Sequence, residues 1–140
     1  MPVLKVDLAA DTYDDTALAA FAEKATRLFA EVLDSPEDRI RVYLNLRPPA
    51  HVTIGGVRGD QCVDAPFFEC FLLAGRPPEH RTRLLREFTE LLCSELGADR
   101  SRVRGCCTHV DPEDWTIGGR SAAEIRAAEI EARKERAANR

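Results

Sequence analysis

The sequence has little of what marks several common classes of protein. No apolar run approaches the roughly 20 residues that a membrane-spanning helix needs, and no charged-then-apolar leader ends in a small-residue cleavage site. The chain has 20 Lys and Arg against 24 Asp and Glu, a net charge of −4, whereas nucleic-acid-binding proteins usually carry a basic excess. We therefore expect a cytoplasmic protein whose partners include neither membranes nor nucleic acid.

Signatures of metal and cofactor binding are also missing. The five cysteines form no C-x-x-C pair, and the adjacent Cys106 and Cys107 would point to opposite faces of a strand. His51, His80 and His109 are too scattered to form a ligand pair. The Gly-Gly pairs lack the residues that follow in a phosphate-binding loop. We expect no metal, no cofactor, and reduced cysteines that are mostly buried.

The most informative feature of the chain is an internal repeat. Matching residues recur at a spacing of 64 early in each copy and 63 later, which we attribute to one deletion near the end of the helix. The matched pairs are Pro2 with Pro66, Glu23 with Glu87, Arg39 with Arg102, Arg41 with Arg104, and Gly55-Gly56 with Gly118-Gly119. We predict one domain over residues 1–120, with repeats at 2–58 and 66–120, and a C-terminal tail at 121–140.

Each repeat predicts a strand, a helix, a second strand and a short hairpin. Leu18, Phe21 and Phe29 belong to an apolar stripe at helical spacing, and residues 84–96 carry a second stripe. A helical crossover makes the two strands of a repeat parallel. The predicted class is α+β, with a four-stranded mixed sheet, both helices on one face, and a C-terminal helix from Ser121 to about Ala138. The uncovered sheet face indicates a homo-oligomer, and the C-terminal helix is either a solvated tail or an arm on a neighbouring subunit.

Pro2 is the sharpest chemical feature of the sequence. Methionine before proline is normally removed, which leaves a secondary amine at the start of a buried strand. A terminal amine titrates near about pH 7.7–8.0, and burial favours its neutral form, a general base. A nearby acid would instead keep it protonated. Pro66 provides an internal comparison, because its amide nitrogen has no basicity.

At this point the sequence resembles the tautomerase superfamily, which uses an amino-terminal proline on a repeated β-α-β scaffold. The resemblance covers residues 2 to about 120 and includes two-repeat members such as malonate semialdehyde decarboxylase and cis-3-chloroacrylic acid dehalogenase. Four segments carry it, in order and spacing: Pro2-Val-Leu-Lys-Val-Asp-Leu, Pro36-Glu-Asp-Arg39, Ala74-Gly-Arg-Pro77 and Asp114-Trp-Thr-Ile-Gly-Gly-Arg120. The family implies a cofactor-free enzyme, most often a trimer when the chain has two repeats.

The resemblance also implies roles for particular residues. Pro2 matches the catalytic proline, and Arg76 matches an arginine that binds substrate carboxylate, as a charged bidentate guanidinium would. The corresponding slot of the first repeat is Thr12 or Asp11. Asp38 matches an aspartate of the decarboxylase that keeps the proline cationic. The alternatives are a turn-capping arginine at position 76 and a polar loop residue at position 38.

Three further residues match substrate-binding positions. Trp115 lies where the family has an aromatic wall, although a packing anchor is the alternative. Arg41 and Arg104 lie where a neighbouring subunit supplies a second carboxylate-binding arginine, and a solvated face is the alternative for both. The decarboxylase and dehalogenase place another arginine two or three residues after the first, but Pro78 and Glu79 occupy those positions here.

The sequence thus predicts an enzyme that acts on a small carbonyl or enol compound bearing a carboxylate. The reaction is keto–enol tautomerisation if the Pro2 amine is neutral and decarboxylation if it is protonated. The alternative is a non-catalytic trimeric binding or scaffold protein of the same fold, which a retained Met1 would favour.

Overall fold

The computed structural model describes residues 2–140 and contains two similar halves. The expected removal of Met1 falls outside the described residues. The first half consists of β1 (Val3–Ala9), α1 (Asp15–Leu33), β2 (Arg41–Arg47) and the hairpin of β3 (Thr53–Ile54) and β4 (Val57–Arg58). The second consists of β5 (Phe67–Leu73), α2 (Pro78–Leu96), β6 (Arg104–Val110) and the hairpin of β7 (Thr116–Ile117) and β8 (Arg120–Ser121), followed by α3 (Ala122–Ile125) and α4 (Ala127–Ala138).

The four long strands form the mixed sheet that the sequence predicted. Their order is β2-β1-β5-β6. The two strands of each half are parallel, and the halves join through the antiparallel pair of β1 and β5. In that pair Val3 is opposite Phe71, so the start of β1 lies beside the end of β5. This register brings Pro2, which precedes β1, close to Arg76, which follows β5.

Both long helices cover one face of the sheet and bury the predicted apolar stripes. Phe88 of α2 is fully buried, and its ring meets Phe29 of α1 with centroids 4.8 Å apart in an edge-to-face contact. Phe68 of β5 packs on the same ring, with centroids 5.9 Å apart. The other face of the sheet is uncovered in this chain, where Tyr43 and Phe67 are about half exposed. No helix within residues 2–140 combines the length and apolarity needed to cross a membrane.

The one-residue deletion lies before the helices, which corrects its expected position near the helix end. The strands β1 and β5 correspond at a spacing of 64, whereas α1 and α2 have equal lengths and correspond at 63. The missing residue therefore belongs to the connection at 74–77, which is one residue shorter than its counterpart at 10–14. Counted from the helix, Arg76 corresponds to Tyr13. The match of Glu23 with Glu87 is therefore a chance identity that lies one residue out of the true helix alignment.

The two halves fill the same core position with different pairs of side chains. In the first half Leu4 is opposite Val42, and in the second Phe68 is opposite Gly105. A Cβ atom added to Gly105 would lie 2.2 Å from the Phe68 ring. Gly105 therefore leaves the space that the larger ring occupies.

The segment predicted as one C-terminal helix is divided at Arg126, whose φ and ψ of −108° and 16° leave the helical region. Ser121 caps α3 by accepting a hydrogen bond from the Ala123 N–H. The N–H of Ala122, which is fully buried, donates to the Trp115 carbonyl oxygen at 2.8 Å. These contacts fix the direction in which α4 leaves the hairpin.

Candidate functional site

Pro2 and Arg76 line the same cavity. Pro2 directly precedes Val3, whose partner Phe71 is close to the end of β5, and Arg76 follows that strand after a short turn. The cavity between them has a volume of about 40 Å³, and Leu72 and Leu73 form part of its wall. Antiparallel pairing of the two repeats thus brings together two residues that are 74 positions apart in the sequence.

Arg76 is held by the end of the first helix. Its Nη1 atom donates a hydrogen bond of 2.6 Å to the carbonyl oxygen of Leu33, the last residue of α1. Carbonyl groups at a helix C-terminus have no partner within the helix and favour a cation. Burial and the neighbouring Arg133 lower the pKa of Arg76 to about 10, while Asp34 and Glu129 act in the opposite direction. The guanidinium therefore stays charged at neutral pH.

Further arginines give the cavity a positive surplus. Its charged lining residues are Arg39, Arg76, Arg126, Arg133, Asp34 and Glu129. Glu129 accepts a hydrogen bond of 3.0 Å from Arg39 Nη1, and Arg126 Nη1 lies 3.8 Å from its other carboxylate oxygen. The hydrogen bond from Arg39 is the main reason that the pKa of Glu129 is lowered. With four guanidinium groups against two carboxylates, the cavity suits a small anion.

Three of these residues belong to the C-terminal segment, to which the sequence analysis assigned no chemistry. Arg126 lies at the break before α4, and Glu129 and Arg133 lie on α4. Their spacings of three and four residues place them on one helical face. That spacing was visible in the sequence, but a charged face is also typical of a solvated helix.

The other predicted site residues lie away from this cavity within one chain. Asp38 is exposed, and its carbonyl oxygen accepts a hydrogen bond from Arg41 Nη1 at 2.8 Å. Arg104 makes the equivalent bond to the Ser101 carbonyl oxygen at 2.9 Å. Both arginine side chains are therefore folded back on the preceding turn. Asp38 is not among the residues that surround Pro2, and the acids found there are Asp34 and Glu129.

Trp115 is half-buried just before the second hairpin. Its indole Nε1 atom is buried and has no hydrogen-bond partner among the described residues. The ring does not line the Pro2 cavity of its own chain. A contribution of Trp115, Arg41 or Arg104 to the site of a neighbouring subunit stays a prediction.

The surroundings of Pro66, the counterpart of Pro2, are held by polar contacts of Asp64. Asp64 Oδ2 accepts one hydrogen bond from the Ala9 N–H at 3.0 Å and another from the Tyr13 hydroxyl at 2.7 Å. Burial, together with the hydrogen bond and charge of Asp64, raises the pKa of Tyr13. Pro66, the counterpart of Pro2, is fully buried beside this cluster. Pro2 therefore lies beside a charged cavity, whereas the polar groups near Pro66 are hydrogen-bonded to each other.

Comparison with known proteins agrees with the repeat. The family model described as tautomerase enzyme matches residues 2–61 and again residues 66–125. The chain is 33% identical over 60 residues to the 2-hydroxymuconate tautomerase of Comamonas testosteroni, an alignment that covers 43% of this chain and 95% of that protein. It is 30% identical over 61 residues to the 2-hydroxymuconate tautomerase of Pseudomonas sp. (strain CF600), covering 44% and 97%.

Solved structures share the whole two-repeat architecture. A crystal structure of native fused 4-OT superposes with a TM-score of 0.80 at 26% identity and covers 88% of this chain and 98% of its own. A structure named N1, a member of the cis-3-chloroacrylic acid dehalogenase (cis-CaaD) family, superposes with a TM-score of 0.75 at 17% identity and covers 95% and 99%. The predicted resemblance and fold are confirmed, and α4 lies beyond both segments that the family model matches.

Proposed function

Because the chain belongs to the tautomerase family, we propose that it is a cofactor-free enzyme that interconverts the keto and enol forms of a small carboxylate compound. Arg76 binds the carboxylate, and the Pro2 nitrogen, freed by removal of Met1, moves the proton. The observation that supports this proposal is the shared cavity of Pro2 and Arg76. The Thr116–Arg120 hairpin and the uncovered sheet face are proposed to join three copies, as in the fused 4-OT trimers of the same fold.

The charges around Pro2 favour tautomerisation over decarboxylation. A neutral amine removes a proton from the carbon beside the substrate carbonyl, and the resulting ammonium gives that proton to the enolate oxygen; the reverse sequence regenerates the ketone. Four guanidinium groups nearby disfavour a cationic amine and stabilise an enolate. Asp38, whose carboxylate would have kept Pro2 protonated for decarboxylation, is exposed and does not line the cavity.

The proposal is tested with phenylenolpyruvate and 2-hydroxymuconate as substrates. Pro2→Ala replaces the rigid secondary amine with a mobile primary amine, which still carries a lone pair. Since a positioned general base contributes on the order of 10²–10⁴-fold to a rate, we expect the loss of positioning to lower kcat/KM by about 100-fold. Pro66→Ala is the matched control, because it changes the equivalent buried proline that has no free nitrogen. Intact-mass measurement should show that Met1 is absent from the active protein.

Two results would contradict the proposal. Equal activity in Pro2→Ala and the native protein would show that the ring amine of proline is not required. A mature protein that retains Met1 would have an amide at Pro2, and the scaffold or binding role would then be the better explanation.

A further inference from the structure

Arg133 lies at the edge of the site without an acidic partner. Glu129 is paired with Arg39 and lies near Arg126, but within residues 2–140 no carboxylate lies within ion-pair distance of Arg133 or Arg76. Two unpaired guanidinium groups beside one small cavity repel each other, as the effect of Arg133 on the pKa of Arg76 indicates. A ligand with two negative groups would remove that repulsion.

The position of Arg133 suits an anion at the far end of a substrate. The residue lines the Pro2 cavity and also the two surface grooves on either side of α4, with volumes of about 590 and 770 Å³. Arg76 lines the larger of these grooves as well and is anchored by its hydrogen bond to the Leu33 carbonyl oxygen. A molecule held at one end by Arg76 therefore reaches solvent beside Arg133.

Movement of α4 would provide the space for such a molecule. The cavity of about 40 Å³ holds only a few water molecules. No residue of α4 is buried, and in the part of the chain that the structure describes, its only ion pair with the sheet domain is the one between Glu129 and Arg39. A partly exposed pair of this kind contributes on the order of 1 kcal/mol, so the helix can shift without disturbing the core.

We infer that Arg133 is a specificity-determining residue that binds a second negative group of the substrate. Arg133 lies on α4, outside the segments that the family model matches, and takes the place of the second arginine that the sequence lacks at Pro78 and Glu79. The inference rests on the proposed function for the orientation of the substrate. It assigns α4 to the site as a flexible wall.

Binding of two matched ligands tests the inference without turnover. Trans,trans-muconate and sorbate are six-carbon dienoates that differ by one carboxylate, and titration calorimetry gives the Kd of each. The native protein should bind muconate about ten-fold more tightly than sorbate, as expected for a charge-assisted hydrogen bond. Arg133→Ala should abolish that preference, and Arg133→Lys should restore part of it. Lys134→Ala, which removes an exposed cation one residue away on the same helix, should retain it.

Three outcomes would overturn the inference: no preference in the native protein, an unchanged preference in Arg133→Ala, or an equal loss in Lys134→Ala, which would indicate only the general field of the helix. A protein that shows the expected binding pattern but converts neither phenylenolpyruvate nor 2-hydroxymuconate would refute the proposed function while supporting the Arg133 subsite. Circular dichroism of each variant verifies that the fold is unchanged.

Discussion

Replacing Gly105 with Val should strongly destabilise the second half of the protein, although Val occupies the equivalent position in the first. The new Cβ atom would lie 2.2, 2.3 and 2.6 Å from three carbons of the Phe68 ring. That ring is 1% exposed and packs edge-to-face on Phe88, so it cannot move aside without breaking a second contact. Overpacking of a core typically costs about 1–3 kcal/mol, and we expect about 3 kcal/mol here.

A second substitution should rescue the first. Phe68→Leu alone leaves a space beside Phe88 and should cost about 1.5 kcal/mol. The double variant Phe68→Leu, Gly105→Val reproduces the Leu4 and Val42 pair of the first half, and its free energy of unfolding should fall by only about 1–2 kcal/mol. Independent effects would instead give a loss of about 4.5 kcal/mol.

Equilibrium unfolding in urea gives the free energy of unfolding of the native protein, the two single variants and the double variant. Each is compared at one protein concentration and under reducing conditions, because oligomer formation makes apparent stability depend on concentration. An additive double variant would refute the view that the two halves fill one core position by exchanging large and small side chains. So would a Gly105→Val protein as stable as the native one.

Two further predictions concern the Tyr13–Asp64 contact and the Arg76 cavity. Tyr13→Phe should lower the free energy of unfolding by about 1–2 kcal/mol at neutral pH, because Asp64 loses a hydrogen bond. Since folding raises the pKa of Tyr13, the stabilisation by Tyr13 should be complete below about pH 10 and decline at higher pH. The free energies of unfolding of the native protein and the variant should therefore converge at high pH. Arg76→Ala should raise the KM for phenylenolpyruvate by about ten-fold or more, and Arg76→Lys should recover only part of it because an ammonium cannot bind a carboxylate through two parallel N–H groups; an unchanged KM would remove Arg76 from the site.

The fold was predictable because its signals are local and occur twice. The apolar stripes of α1 and α2 and the short alternating strands each recur at nearly constant spacing, and a repeated β-α-β unit allows few arrangements. The position of the deletion was predicted wrongly because Glu23 and Glu87 match by identity, whereas the buried Phe29 and Leu92 define the true helix alignment.

The candidate site was predictable only in part. Pro2 and Arg76 each stood out, the first by its position and the second by resemblance, and the antiparallel pairing of β1 and β5 brings them together. The contribution of α4 was missed because its charged residues are spaced as in any solvated helix, and nothing local shows that the break at Arg126 turns them toward Pro2. Asp38 was assigned from a motif, but its side chain is exposed, and the residue of that turn that lines the cavity is Arg39.

The antiparallel pairing of β1 and β5 makes catalysis sensitive to the register of these two strands. A slip of two residues would keep every apolar side chain on its proper face, so the core alone discriminates weakly against it. The same slip would displace Arg76 from Pro2 by about 7 Å, too far for both to touch one small molecule. Catalytic activity would therefore indicate whether β1 and β5 have paired in the correct register. Selection for activity would also select against folding with a shifted register.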